Sequence, residues 1–499
     1  MKRIVSLFLA LMMIMSLVSV ASAEERVTLT MMNRLPATYV VEGNPVIEAL
    51  EDLLNVNLEI EAPPISSYSD RRNIVLASGE LPDIIYVNDT GASYTQWSRD
   101  GLFLDLTPYL NETDMPNAYK VLTAQELNKV TVDGAVYSLP RVQTKPMDII
   151  MYRQDWLDKL GLEVPTTPAE FAEVAKAFTT MDPDGNGVND TYGWTLNTDK
   201  GEHPRHMISG FGVRPSDVPD ENGNYELMEA SDEYIAYLDW MRDMYAAGAI
   251  NPEFYLITAN NDDELWYAGK MGIRYVNTNV EHYVSDLGST NWANPDREVA
   301  VAAPLMEEGQ EKAAVYYPPQ TWGNWAINAD SENLEAAIKF LDACYTDAVN
   351  NLLAFGVEGI TYTTFNDEQQ YALKTPEQRE AFDKYCATYA TFNYQTEDKG
   401  LLIVNGDTIE ETEAFAQANN NVAEKTERIS YIQGSSLPGV SEVSTACSDE
   451  GLQDTFKELR TKYICGQIER EELVDFLKNT YAPAWQPMLD IYAENNLNK

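Results

Sequence analysis

From Val27 to Glu61 the hydrophobic residues change period twice, and this change restricts the fold more than any other stretch of the chain. Val27, Leu29 and Met31 alternate with threonines, the pattern of a half-buried strand. Asn44 and Pro45 then open a helix whose apolar residues, Val46, Ile47, Leu50, Leu53 and Leu54, fall at helical spacing. Val56, Leu58 and Ile60 alternate with Asn57, Glu59 and Glu61 in a second strand. Strand, helix and strand at this pitch predict two parallel strands joined by a right-handed crossover, the unit of α/β folds. No internal repeat or low-complexity tract interrupts the chain, and 499 residues exceed what one small core organises, so two or more domains are expected.

Acidic residues number 79 against 35 basic ones, a formal charge of −44. Such a charge argues against nucleic acid and anionic membranes as partners. It does not mark disorder, because 44% of the residues are hydrophobic and 29 are tyrosines. At the amino end, Lys2 and Arg3 precede an apolar run from Ile4 to about Val18, and Ala21-Ser22-Ala23 stands before Glu24. This is the pattern of an export signal cleaved after residue 23. The run is shorter than the roughly 20 residues that span a bilayer. It contains no cysteine on which a lipid could be placed, so extracellular release, a periplasm or an uncleaved anchor are the locations left open. Of the four cysteines, Cys344 and Cys386 fall on apolar helical faces and read as small buried groups. Cys447 and Cys465 are the pair for which a disulfide is open.

A second informative stretch begins at Asp182. Asp182, Asp184, Asn186 and Asp190 occupy positions 1, 3, 5 and 9 of a loop with Gly187 at position 6, and Val188 offers its carbonyl at position 7. Oxygen donors at this spacing wrap a hard cation, so structural calcium is expected. The preceding residues predict a helix with Thr167 as N-cap, Pro168 in the first turn, Glu170 closing a capping box, and Phe171, Val174, Ala175 and Phe178 on its apolar face. Position 12 is Gly193 instead of a chelating glutamate, and Asp-Gly and Asn-Gly pairs also form ordinary turns, so a cation-free turn is the alternative.

Residues 152–167 (YRQDWLDKLGLEVPTT), followed by the Asp-rich loop, resemble the extracellular solute-binding proteins of bacterial ABC sugar importers, in their long oligosaccharide-binding branch. Further matches follow in the same order at 76–86 (LASGELPDIIY), 101–108 (GLFLDLTP), 133–140 (DGAVYSLP), 335–342 (EAAIKFLD) and 355–359 (FGVEG). The resemblance implies a type II, periplasmic-binding-protein-like fold of two α/β lobes. Lobe one would hold 24–144 and 322–358, and lobe two 145–321 and 359–499, with crossings near 142–148, 304–321 and 355–362. It also implies a monomeric, non-enzymatic protein that captures an oligosaccharide between the lobes and hands it to membrane permease subunits. A secreted carbohydrate-active enzyme, or the same fold holding a peptide or anion, are the alternatives. No G-x-S-x-G elbow, Walker loop or dinucleotide fingerprint is present.

Ligands of open α/β sheets sit beyond the carboxyl ends of strands. Asn33, Arg34, Asn88 and Asp89 directly follow strand-like runs and offer forked donors and acceptors to sugar hydroxyls, although polar residues at such places also make simple turns. Arg141 stands at the first crossing and Glu358 at the third. Arg274, Tyr275 and Asn277 lie on a strand running into a polar end, where the family brings an aromatic and a polar group to the cleft. Trp322 and Trp325 belong to an aromatic cluster, with sugar stacking and core packing as the competing readings. His206 reads as a cleft-edge hydrogen-bonding group, because Pro204 between it and His203 spoils a zinc motif. Arg34, Arg141 and Arg274 leave a uronic-acid ligand open.

Overall fold

The computed structural model describes residues 26–143, 149–196, 204–257, 259–276, 293–294, 296–318, 320–366, 371–373, 375–386 and 420–498. The opening unit forms as its periodicity predicts. Strand β1 (Val27–Met32) leads to helix α1 (Pro45–Leu54), whose first N–H groups are capped by the Asn44 side chain, and Asn55 ends the helix in a left-handed conformation. Strand β2 (Val56–Glu61) then pairs with β1 in parallel, Leu29 opposite Leu58. Helix α2 (Tyr68–Ser78) leads to the short strand β3 (Ile84–Tyr86), and β4 (Leu139–Gln143) ends the amino-terminal segment.

Beyond β4 the chain enters a second body with β5 (Ile149–Arg153), helix α3 (Pro168–Thr180), helix α4 (Asp232–Ala246), β6 (Ile273–Val276), β7 (Val299–Ala302) and β8 (Ala313–Tyr317). Helix α3 carries the expected box: Thr167 accepts from the Glu170 N–H while Glu170 accepts from the N–H groups of Thr166 and Thr167. The chain returns through β9 (Gln320–Ile327), α5 (Leu334–Ala343), α6 (Asp347–Phe355) and α7 (Pro376–Tyr385). It ends with β10 (Thr426–Ser430), α8 (Val440–Asp449), α9 (Leu452–Ile464) and α10 (Ala482–Glu494).

The first sheet has the order β2-β1-β3-β9-β4, with β9 antiparallel to its neighbours. The second has the order β6-β5-β7, and β8 pairs with β10 in parallel. Two separate hydrophobic cores follow. One gathers Leu29, Met31, Ile85, Tyr86, Trp325, Phe340 and Leu353, and the other gathers Tyr152, Trp156, Phe171, Trp194, Met241, Tyr463 and Leu489. These are the cores of two lobes. Asp83 ties the first sheet across its amino edge, accepting from Thr30 and Ser331 side chains. Among the described residues no helix is long and apolar enough to cross a membrane.

Two sequence expectations need correction, the start of the last lobe-two segment at residue 359 and the third crossing at 355–362. Helix α7 buries Phe382 and leads to buried Cys386 in the lobe-one core, and Asn44 donates to the Tyr385 carbonyl, so the chain has not passed into lobe two at residue 359. The third crossing therefore follows residue 386 instead of lying at 355–362. Periodicity shows which face of a helix is apolar but not which core that face joins. The segment 355–362 is instead a local turn, with the Thr361 hydroxyl bonded to the Phe355 carbonyl and the Val357 N–H. All four cysteines are free thiols, including Cys447 and Cys465.

Candidate functional site

Five of the residues singled out by sequence line one edge of the lobe-one sheet: Asn33, Arg34, Asn88 and Asp89 beyond the carboxyl ends of β1 and β3, and Arg141 within β4 at the level of that edge. Register sets their levels. Met32 faces Ile85, so Asn33 and Arg34 follow at the heights of Tyr86 and Val87. Trp325 connects Tyr86 on one side with Leu139 on the other, which carries Arg141 two residues further toward the same edge. Asn88 adopts a left-handed φ of 50°, uncommon for any residue but glycine and best tolerated by asparagine and aspartate.

A buried network fixes this edge. Asn324 is fully buried; its carbonyl accepts from Val87 N–H, its Oδ1 from Asp89 N–H at 3.3 Å, and its Nδ2 donates to Ser138 Oγ at 2.9 Å. The Tyr68 hydroxyl donates to the Tyr86 carbonyl at 2.5 Å. Arg72 donates to the carbonyls of Val87 and Asn88, lies over Trp97, and stands 3.9 Å from the Asp89 carboxylate. Burial lowers the basicity of Arg72, and Asp89 offsets part of that.

Tyr86 is the centre of the arrangement. Its ring packs on Trp325 with centroids 5.0 Å apart, and its hydroxyl points at Gly323, where a Cβ would come within 2.0 Å of it. Gly323 has φ 110° at a bulge in β9, so only glycine serves there. Burial pushes the Tyr86 phenol up, while the Arg141 and Arg34 guanidiniums pull it down and Arg141 shares a hydrogen bond with it. Arg34 is half-buried and makes no hydrogen bond or ion pair among the described residues, and Asn33 Oδ1, also buried, has no partner there.

The remaining sequence candidates are placed differently. Trp325 is a core residue at 2% exposure, so packing wins over stacking on a ligand. Arg274 is met within its own lobe by Asp262 and Asp263. His206 is fully buried and stacks on Tyr275 at 3.4 Å, and its ring nitrogens make no hydrogen bond among the described residues. The cleft-edge role expected of it is not made here. Burial holds the imidazole neutral, well below its ordinary range. Glu358 is exposed in the turn after α6. Asn277 and the Trp322 side chain lie outside the described residues. Sequence reasoning passed over Tyr68, Arg72, Tyr86 and Asn324. Tyr68 and Arg72 lie four apart on the face of α2 that also buries Val75 and Leu76, and an arginine on an apolar face was the available signal.

In lobe two a cavity of about 360 Å³ is lined by Arg205, Asp217, Tyr316, Tyr431, Trp485 and Tyr492. Burial pushes the Asp217 carboxyl up to about 6, against the pull of its hydrogen bond from Gly434 N–H. Between this region and lobe one, Ser430 donates to Gln125 at 2.9 Å.

The acidic loop lies apart from this edge, after α3. The Asp182 carboxylate accepts from the N–H groups of Asn186 and Gly187, and Asn186 Nδ2 donates to Asp184 at 2.8 Å and Asp190 at 3.0 Å. The donor chemistry is that of a hard-cation site. A cation stands there in the form of the Lys270 ammonium, 2.5 Å from Asp190 and 3.8 Å from Asp184, and it holds the Asp190 carboxyl below its usual range. Among the described residues no three acidic, histidine or cysteine side chains gather as a metal ion needs.

Comparison with known proteins gives a consistent picture. Residues 44–351 match the family described as bacterial extracellular solute-binding protein. The polygalacturonan/rhamnogalacturonan-binding protein YtcQ of Bacillus subtilis is 29% identical over 332 residues, and the match spans 64% of this chain and 64% of that protein's length. Lipoprotein LipO of the same organism is 26% identical over 449 residues, 87% of this chain and 85% of that one. Among solved structures, an EF-hand mutant of the Streptococcus pneumoniae ABC-transporter substrate-binding protein FusA, in complex with fructo-nystose, superposes with a TM-score of 0.64 at 18% identity, covering 94% of this chain and 98% of that one.

Proposed function

Because the chain belongs to the bacterial extracellular solute-binding protein family, we propose that it captures an oligosaccharide between its two lobes and delivers it to the permease subunits of an ABC importer. The observation that carries this reading is the polar edge of the lobe-one sheet, where Asn33, Arg34, Asn88, Asp89 and Arg141 gather and a buried network of Arg72, Asn324 and Ser138 holds the Asn88–Asp89 turn. Planar amide and guanidinium forks match vicinal hydroxyls, and a pre-organised edge lowers the entropy cost of binding. YtcQ and FusA, which bind carbohydrates by name, support it. Calorimetry with a panel of oligosaccharides, together with product analysis after long incubation, tests it. Saturable binding with the glycan recovered intact is expected. Cleaved products would favour a secreted enzyme, and the absence of any binding would remove the sugar reading.

Two further parts of the reading concern the chain's surroundings. Export with cleavage after Ala23 and no attached lipid follows from the amino-terminal pattern, and the intact mass of the natively produced protein checks it. The 182–190 loop is taken as a structural calcium site, supported by the EF-hand of FusA. Asp182, Asp184, Asn186, the Val188 carbonyl and Asp190 would hold the ion after it displaces Lys270. Its chemistry there is to neutralise clustered carboxylates.

A further inference from the structure

We propose that the ligand is acidic, a uronate-bearing oligosaccharide whose carboxylate sits between Arg34 and Arg141 on the lobe-one edge. The inference deepens the proposed function and rests on it. Strands β1 and β4 are separated by β3 and β9, three strand spacings or about 14 Å. Tyr86 lies on β3 between them; Arg141 shares a hydrogen bond with its phenol, and the charge of Arg34 is felt there as well. Both arginines stand at the edge where the ligand is proposed to sit, and a guanidinium fork pairs with a carboxylate through two parallel hydrogen bonds.

The distribution of charge around the edge points the same way. Acidic residues outnumber basic ones 79 to 35, so a partly buried arginine is most simply neutralised by a neighbouring carboxylate. Three buried arginines follow that rule: Arg72 has Asp89, Arg153 has Asp155, and Arg274 has Asp262 and Asp263. Arg34 breaks it, with no acidic partner among the described residues although it stands at the proposed ligand edge. A neutral sugar would leave this half-buried charge without a counter-charge, whereas a uronate supplies one. Adjacent Asn33, with its buried and unbonded Oδ1, is then free to accept from a ring hydroxyl. The net charge of −44 does not prevent this, because at physiological salt fields fade within about 8 Å and the local arginines dominate at contact.

The test is calorimetry with trimers of galacturonate, mannuronate and glucuronate, their carboxyl methyl esters, and neutral maltotriose and kestose, using the full-length protein. At least one uronate trimer is expected to bind at least tenfold more tightly than its methyl ester. Arg34→Gln is expected to lose tenfold or more toward the acid while binding the ester unchanged, and Arg34→Lys to recover only part. Melting curves of each variant show that it is folded. Equal binding of acid and ester, unaltered by Arg34→Gln, overturns the acidic-ligand proposal and leaves the carbohydrate reading standing. If no glycan of the panel binds, the carbohydrate reading falls and this proposal with it.

Discussion

Gly323 shows how much one position can hold. Its φ of 110° and the Tyr86 hydroxyl against it leave no room for a methyl group, so Gly323→Ala should cost about 2–5 kcal/mol through strain and overpacking. Thermal denaturation measures this, and an unchanged melting temperature would contradict the packing. Lys270 offers a second residue-scale test. If its ammonium competes with calcium for Asp184 and Asp190, Lys270→Met should raise the gain in melting temperature that calcium gives over chelator. Equal gains in the two proteins would separate the lysine from the ion. At this scale the sequence was informative about which polar residues end strands and poor about which of them keep a free surface. Trp325, Arg274 and His206 carry the right chemistry, yet core packing, two aspartates and a stacked tyrosine occupy them. Those competitors lie on other elements, for Arg274 the helix just before its strand, and local pattern does not tell which side chains of two elements meet.

Elements were more legible than their destinations. Caps are local, so Asn44, Thr167 and their prolines marked helix starts that the structure reproduces. The parallel pairing of β1 with β2 was equally readable, because a helix between two strands leaves little choice. The lobe-one docking of α7 was not, since it depends on a long-range match between Phe382 and a distant core. The segment around Asp217 supplies the prediction at this level. The carboxyl is raised in the folded state to about 6, so its stabilising contribution is present below the unfolded value near 3.9 and disappears as pH rises through about 6. Asp217→Asn keeps an acceptor for Gly434 N–H and cannot ionise. It should gain on the order of 2 kcal/mol over the parent above pH 7, after allowance for solvent screening, and nothing below pH 4. Chemical denaturation at the two pH values measures the difference, and a constant gap between parent and variant would remove the buried-carboxyl explanation.

At the scale of the whole molecule, two independent cores joined by a few crossings permit rigid-body motion of one lobe against the other. A bound oligosaccharide should therefore lower the radius of gyration in small-angle scattering, with Arg34→Gln showing less compaction at the same glycan concentration. No change on saturation with a ligand that calorimetry detects would argue against closure. The connectivity that builds these lobes also governs their order of birth. Strand β9, residues 320–327, fills the middle of the lobe-one sheet between β3 and β4, and everything needed for the first half of lobe two is translated before it. Lobe two in turn waits for β10 and helices α8, α9 and α10. A nascent chain emerging amino end first thus cannot finish lobe one until residue 386 has been made, nor lobe two until nearly all of it has. Delay of this kind leaves strand edges and apolar faces uncovered for as long as the central strand is missing, and exposed surface of that sort is where misassembly begins.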